Sequence, residues 1–198
     1  MILGVDLAAR FSAAILRGND GEIHSQFDSR DKTALAFCQE VAQAAVKADL
    51  IVIEDVPYGI SNQAMVKPVL RLQGAITAYL TALGAVDRTV FLVPSTWMKD
   101  FPGILHATTK GLTKAASDQE RIDTAAFHAE RGGYTPPDLV TDYLTACKAS
   151  GKKALKKNTG PLAKSMTDYI SAWLMSEYAR QFTMDELLAK PGVQKASL

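Results

Sequence analysis

The residue pattern predicts an α/β protein built on a mixed five-stranded sheet, a three-strand antiparallel meander plus parallel strands, flanked by helices. Three observations predict it. Strand-like segments separated by turn residues stand in a row at the N-terminus, and two brief apolar runs, 50–54 and 89–93, follow them. Between and after those runs lie long segments with apolar residues at helical spacing. Strands and helices in this order form layers in which helices cover the sheet.

Residues 1–7 (MILGVDL) read as the first strand and 11–17 as the second, after a short turn. Asn19-Asp20-Gly21 supplies turn chemistry, because Gly and Asn tolerate positive φ. Residues 22–29 complete the meander. A helix is expected from about Asp31, its N-cap, with Ala34, Leu35, Cys38, Val41, Ala42 and Ala45 on the apolar side. Residues 50–54 (LIVIE) have the continuous apolar character of a strand buried on both faces. A Pro-Tyr-Gly turn leads into a long helix marked by Met65, Val69, Leu72, Ile76, Leu80 and Leu83. Pro68 within it marks a kink or the true first turn. After the strand at 89–93, Ser117-Asp118-Gln119-Glu120 has capping-box spacing and should open a helix running to about Arg131. A further helix is expected after Pro136-Pro137, and a last long one over about 165–180.

Composition narrows the class. The chain has 198 residues, 47% hydrophobic and 22% charged, as expected of a single soluble domain over 1–198 with a substantial core. Cys38 and Cys147 lack CxxC or His-rich company, which disfavours structural zinc and fits a reducing cytoplasm. The longest uncharged run, 72–86, falls short of the ~20 residues that span a bilayer. No basic segment precedes an apolar stretch at the N-terminus, so the expectation is a cytoplasmic protein without a membrane partner.

Charge is unevenly spread. The 22 Lys and Arg against 21 Asp and Glu give a net +1. Between 143 and 167 there is no acidic residue, and Lys148, Lys152, Lys153, Lys156, Lys157 and Lys164 fall there. The remaining chain holds 16 basic against 21 acidic residues, a net of −5. This Lys-rich insertion, about 143–164, has two readings: a solubilising loop, or an arm for a polyanion whose phosphates release counterions on binding.

Three carboxylates stand where burial is costly. Asp6 sits between Val5 and Leu7 in an apolar strand, and a desolvated carboxylate needs a partner. Backbone amides of the next turn or Arg10 would serve. Glu54 ends the run 50–53, with Asp55 beside it, and only one of these neighbours can look the same way as Asp6. Clustered carboxylates require raised pKa values or a cation, and hard divalent ions such as Mg²⁺ or Mn²⁺ prefer oxygen ligands. Asp168 lies opposite the main stripe of the last helix (Met166, Tyr169, Ile170, Trp173, Leu174), on the side of Ala172, Met175 and Ala179. Either that side faces solvent, or the small residues form a second buried face that carries Asp168 to the strand ends. His24, His106 and His128 are scattered without ligand spacing and read as surface or satisfied core residues.

The order of these elements resembles the ribonuclease H-like superfamily, in particular the RuvC Holliday junction resolvases, including bacteriophage forms. Ile2-Leu3-Gly4-Val5-Asp6 resembles that family's opening strand with its first catalytic Asp, and Leu50 to Val56 its central strand ending in a catalytic Glu. The stretch 62–76, Val93-Pro94, Trp97-Met98-Lys99 and Thr167 to Ala172 resemble the following helix, the next strand, its lysine-bearing sequel and the final helix with its last catalytic Asp. The resemblance covers most of 1–180 and implies a ribonuclease H-like fold. It also implies a metal-dependent endonuclease that resolves branched double-stranded DNA such as Holliday junctions, with Mg²⁺ or Mn²⁺ and no organic cofactor. Asp6, Glu54 and Asp168 become metal ligands and catalytic residues, Asp6 bridging two ions ~3.5–4 Å apart. A phage origin would place the protein in the host bacterial cytoplasm.

The pattern departs from that family at the turn Leu7-Ala8-Ala9-Arg10, which lacks Gly, and on the last helix, where Ser165 stands at the position of an earlier Asp. Water on Ser165, or another carboxylate, would fill the fourth place, and Asp55 is a possible supporting group. Lys99 or Lys114 would approach the scissile phosphate. Tyr58 is a candidate base-stacking residue, and Lys67 and Arg71 candidate phosphate contacts, beside Lys148, Lys152, Lys153, Lys156 and Lys157. A two-fold symmetric junction suits a homodimer, and the apolar span 69–83 suits a helix serving core and dimer. Rival expectations are a nuclease of this fold for flaps, forks or RNA–DNA hybrids, and a non-catalytic junction-binding protein. An actin-like or sugar-kinase ATP unit is disfavoured by chain length and by the Leu7-Ala8-Ala9 turn.

Overall fold

Side-chain alternation sorts the first strand into two cores. In the computed structural model, which describes residues 1–8, 11–56, 63–104, 114–135 and 162–197, β1 (Ile2–Asp6) is buried along its whole length. Residues 63–65, 114–119, 121, 122 and 162–167 are described through the backbone alone. β1 pairs antiparallel with β2 (Ala13–Arg17), which pairs antiparallel with β3 (Ile23–Asp28). On its other side β1 pairs parallel with β4 (Leu50–Glu54), and β4 parallel with β5 (Thr89–Leu92). These are the five expected strands. A sixth, β6 (Val193–Lys195), runs antiparallel along β5, giving the order β3-β2-β1-β4-β5-β6. Three residues carry too little alternation to be read as a strand, so the expectation of five is corrected to six.

Helices cover both faces. Ile2, Ala13, Ile15, Val52, Val90 and Leu92 pack under α5 (Leu162–Ala179), while Leu3, Val5, Ala14, Leu16, Ile51 and Ile53 pack with α1 (Ala34–Ala45) and with Ile76 and Leu80 of α2 (Gln63–Ala82). α3 (Pro94–Trp97) follows β5, and α4 (Lys114–Arg131) lies against α5, where the Tyr134 ring stacks on Trp173 at 5.5 Å. The last helix, α6 (Met184–Leu188), leads through Gly192, with φ of 78°, into β6.

Three local expectations change. The N-cap of α1 is Thr33, whose hydroxyl accepts from the Ala36 backbone N–H at 3.1 Å; Asp31 occupies a left-handed turn with φ of 54°. Pro68 lies inside α2, beyond its first turn. α4 is already helical at Lys114, before the Ser117 box, because Ala115-Ala116 favour helix; the capping box that forms is Thr183 with Glu186, opening α6. The helix expected after Pro136-Pro137 and nearly all of the Lys-rich insertion lie outside the described residues. No helix among those described is long and apolar enough to cross a membrane.

Candidate active site

Strand register brings Asp6 and Glu54 together. Ile2 stands opposite Leu50, Gly4 opposite Val52 and Val5 opposite Ile53, so one step on Asp6 is level with Glu54, each the last residue of its strand. Ile2 and Val52 belong to the core under α5, so alternation turns Asp6 and Glu54 to that same face. Their carboxyl groups hydrogen-bond to each other. Two carboxyls can do so only with a proton between them. Burial, the Asp6 charge, the hydrogen bond to Asp6 and the Asp168 charge all push the Glu54 carboxyl well above the ordinary carboxylate range, so burial beside Asp6 favours its neutral form. Asp6, 5% exposed, is also raised by burial, against hydrogen bonds from Glu54 and from the Ser171 hydroxyl that favour its charged form.

Asp55 turns away. Its Oδ1 accepts from Gln73 Nε2 of α2 at 3.2 Å and from the Val56 backbone N–H at 2.8 Å. The supporting role expected of it is corrected: a neighbour of Glu54 in an extended strand must face the opposite layer.

α5 supplies the third carboxylate. Its small-residue stripe is a buried face, with Ala172, Met175 and Ala179 fully enclosed, and the opposite stripe of Tyr169, Ile170, Trp173 and Leu174 is buried as well. The helix can lie this close to β1 because Gly4 has no side chain to hold it off. Asp168, half-buried, is thereby carried to where its charge acts on Glu54. Ser171, one turn further on, faces Asp6. Sequence reasoning assigned Ser171 no role, although its spacing from Asp168 places both on one side of the helix.

These groups are hard oxygen donors held at the carboxyl ends of two parallel strands, and carboxylates forced together favour a cation. Asp6, Glu54, Asp168 and the Ser171 hydroxyl therefore fit Mg²⁺ or Mn²⁺ in chemical type. Among the described residues no three His, Cys, Asp or Glu side chains are drawn into a metal-holding group.

The other expected residues are dispersed. Lys99 is exposed in the turn Met98–Asp100 beyond α3, and Lys67 and Arg71 are exposed on α2. Ser165 lies on α5 one turn before Asp168, and Lys114 is the first residue of α4; both are described by backbone alone. Tyr58, Arg10, Lys148, Lys152, Lys153, Lys156 and Lys157 lie outside the described residues. His24 is exposed and His128 lies 2.9 Å from the Pro102 carbonyl; His106 is outside the described residues.

No family model matches the sequence, and no curated protein matches it. Solved structures do. That of T. thermophilus RuvC in complex with Holliday junction substrate superposes with a TM-score of 0.50 at 8% identity, covering 91% of this chain and 94% of that one. A second Thermus thermophilus RuvC structure gives 0.48 at 13% identity, covering 91% and 95%. With six strands in the order described and helices on both faces, the chain has the RuvC-like, ribonuclease H-like fold.

Proposed function

We propose that this chain is a divalent-metal-dependent endonuclease acting on branched DNA, with Asp6, Glu54 and Asp168 as its metal ligands. One observation carries the reading: strand register sets two carboxyls, the buried Asp6 and the half-buried Glu54, level with each other at the carboxyl ends of adjacent parallel strands in a RuvC-like sheet, with the Asp168 charge acting on Glu54. Carboxyls whose pKa values are raised together by burial and by one another concentrate at functional sites. The T. thermophilus RuvC that shares this fold is in complex with a Holliday junction substrate, which supports branched DNA as the substrate class for this chain.

Each residue has a part. Asp6, level with Glu54, is the shared ligand, and Ser171 orients its carboxylate. Glu54 would hold the ion beside Asp6 in its anionic form, which the charge of a divalent cation would favour. When bound, Mg²⁺ or Mn²⁺ supplies an activated water and stabilises the charge that develops on the phosphodiester. Lys99, Lys114, Lys67, Arg71, Tyr58 and the lysines of the insertion serve DNA contact. A homodimer matches the two-fold symmetry of a four-way junction, and the exposed Leu70 and Leu83 of α2 and the turn after it suit a subunit contact.

Cleavage of a mobile four-way junction, a flap and an RNA–DNA hybrid, each with and without millimolar Mg²⁺ or Mn²⁺, tests this. Metal-dependent paired nicking of the junction, abolished in Asp6→Asn, is the expected result. Preference for the flap or hybrid would reassign the substrate. Junction binding without cleavage of any of the three would leave a non-catalytic binder.

A further inference from the structure

The rim that bears Asp6 holds a second polar group. Asp28, the last residue of β3, is paired with Ala13 of β2, and Ala13 with Asp6 of β1, so Asp28 lies level with Asp6 two strands away. Ala13 packs under α5, and Asp28 faces α5 too: the Tyr169 hydroxyl donates to its Oδ2 at 2.8 Å. Asp28 is 7% exposed and is itself locked. Arg30 donates to Oδ2 from Nε at 2.8 Å and from Nη2 at 2.5 Å, and its backbone N–H donates to Oδ1 at 2.8 Å.

Tyr169 is the residue next to Asp168. Its ring belongs to the core, so packing holds the helix against the sheet, but packing of rings and methyl groups permits small slides and rotations. A hydroxyl bonded to a carboxylate that an arginine grips through two nitrogens does not. It ties the middle of α5, two turns in from Leu162, to the end of β3. At the far end of the helix Glu177 is fixed similarly by Arg17 of β2 at 2.6 Å.

We propose that Asp28, Arg30 and Tyr169 form a positioning clasp that sets Asp168 against the Asp6–Glu54 pair and so governs divalent-ion affinity. The inference rests on the metal-centre reading given above. The three residues touch neither ion nor substrate; they act through the helix that carries Asp168. Partners bonded directly to a metal ligand typically govern 10–100-fold in affinity, and a clasp that acts through the helix backbone should fall at the lower end of that range.

The test is calorimetric titration of the full chain with Mn²⁺, comparing wild type, Tyr169→Phe, Asp28→Asn and Arg30→Met with two controls, Asp6→Asn and Thr183→Ala. Tyr169→Phe keeps the ring and should fold with unchanged circular dichroism. Its Mn²⁺ dissociation constant should rise at least ~10-fold, and kcat on a four-way junction should fall with KM unchanged. Asp28→Asn and Arg30→Met should move the same way. Thr183→Ala, which loses the α6 cap, should lower the melting temperature with no change in Mn²⁺ affinity, separating positioning from loss of stability. Wild-type Mn²⁺ affinity in a folded Tyr169→Phe, with binding lost in Asp6→Asn, would overturn the clasp alone. Wild-type affinity in Asp6→Asn would overturn the metal-centre reading beneath it.

Discussion

Gly4 of β1 lies against the backbone of Ala172 in α5 so closely that a Cβ at position 4 would fall 2.2 Å from the Ala172 carbonyl oxygen. No rotamer change relieves a clash with main chain, so any side chain here must lift the helix. Gly4→Ala is expected to cost about 1–3 kcal/mol, as overpacking does, and to abolish cleavage by displacing Asp168. A melting curve together with a junction cleavage assay checks both; an unchanged melting temperature would show that the helix is not seated as described.

The Asp6–Glu54 pair should set the sign of a pH effect. Glu54 is raised above its unfolded value by burial first and by the Asp6 charge second, so the fold favours its protonated form. The stability that this proton contributes is complete below the unfolded carboxyl range and is lost as pH rises through the raised value. Glu54→Gln should therefore melt higher than wild type near pH 8 without metal, by about 2–4 °C for each kcal/mol of relief. The advantage should vanish near ~pH 4, where wild type is protonated as well. Cleavage should be lost at every pH, with junction affinity held within a few-fold.

Divalent ions should reverse that balance. Ligand bound to the native state alone stabilises it, by about 2.7 kcal/mol at 100 times Kd. Millimolar Mg²⁺ or Mn²⁺ should raise the melting temperature of wild type and leave Asp6→Asn where it was. Equal shifts in both proteins would remove Asp6 from the ligand set.

At the opposite end of the sheet, Arg17 is buried beneath α5, its guanidinium 5.0 Å from the Trp173 ring centroid and bonded to Glu177, which also pairs with Arg180. Burial pushes the Glu177 carboxyl up, but hydrogen bonds from Arg180 and Arg17 outweigh it and leave the group below its ordinary range. The sign is opposite to that of Glu54: this stability is present above the unfolded carboxyl range and is lost as pH falls through the lowered value. Glu177→Gln leaves a buried cation short of a partner and should cost about 3–5 kcal/mol at neutral pH, with the difference from wild type narrowing in acid. Chemical denaturation at two pH values measures it.

The insertion lysines can be tested through salt. Neutralising Lys152, Lys153, Lys156 and Lys157 together should weaken DNA binding and flatten its log–log salt dependence by up to ~0.9 for each phosphate left without its lysine. An unchanged slope would return the segment to a solubilising role.

Much of the frame was legible in the residues alone. Continuous apolar runs at 2–5 and 50–53 mark strands buried on both faces, and the acidic residues that end them stand out because burial makes them costly. Those are local properties, written in neighbouring side chains. Asp168 was different. Helical periodicity offered it a solvent face or a second buried face, and α5 is buried on both stripes because the sheet lies on one side and α4 with Tyr134 on another. A period of 3.6 reports one apolar side and is silent on how many neighbours a helix has.

The same limit hid the partners. Tyr169 reads as one more apolar member of its stripe until Asp28, 141 residues away in sequence, meets its hydroxyl. Ser171 reads as a neutral helix residue until Asp6 faces it, and β6 is too short to declare itself without β5 beside it. Local runs of residues thus specify which segments become strands and helices and which carboxylates are costly to bury. Which of those carboxylates meet is a matter for the folded chain, because register between strands and the seating of a helix are long-range agreements that no local window contains.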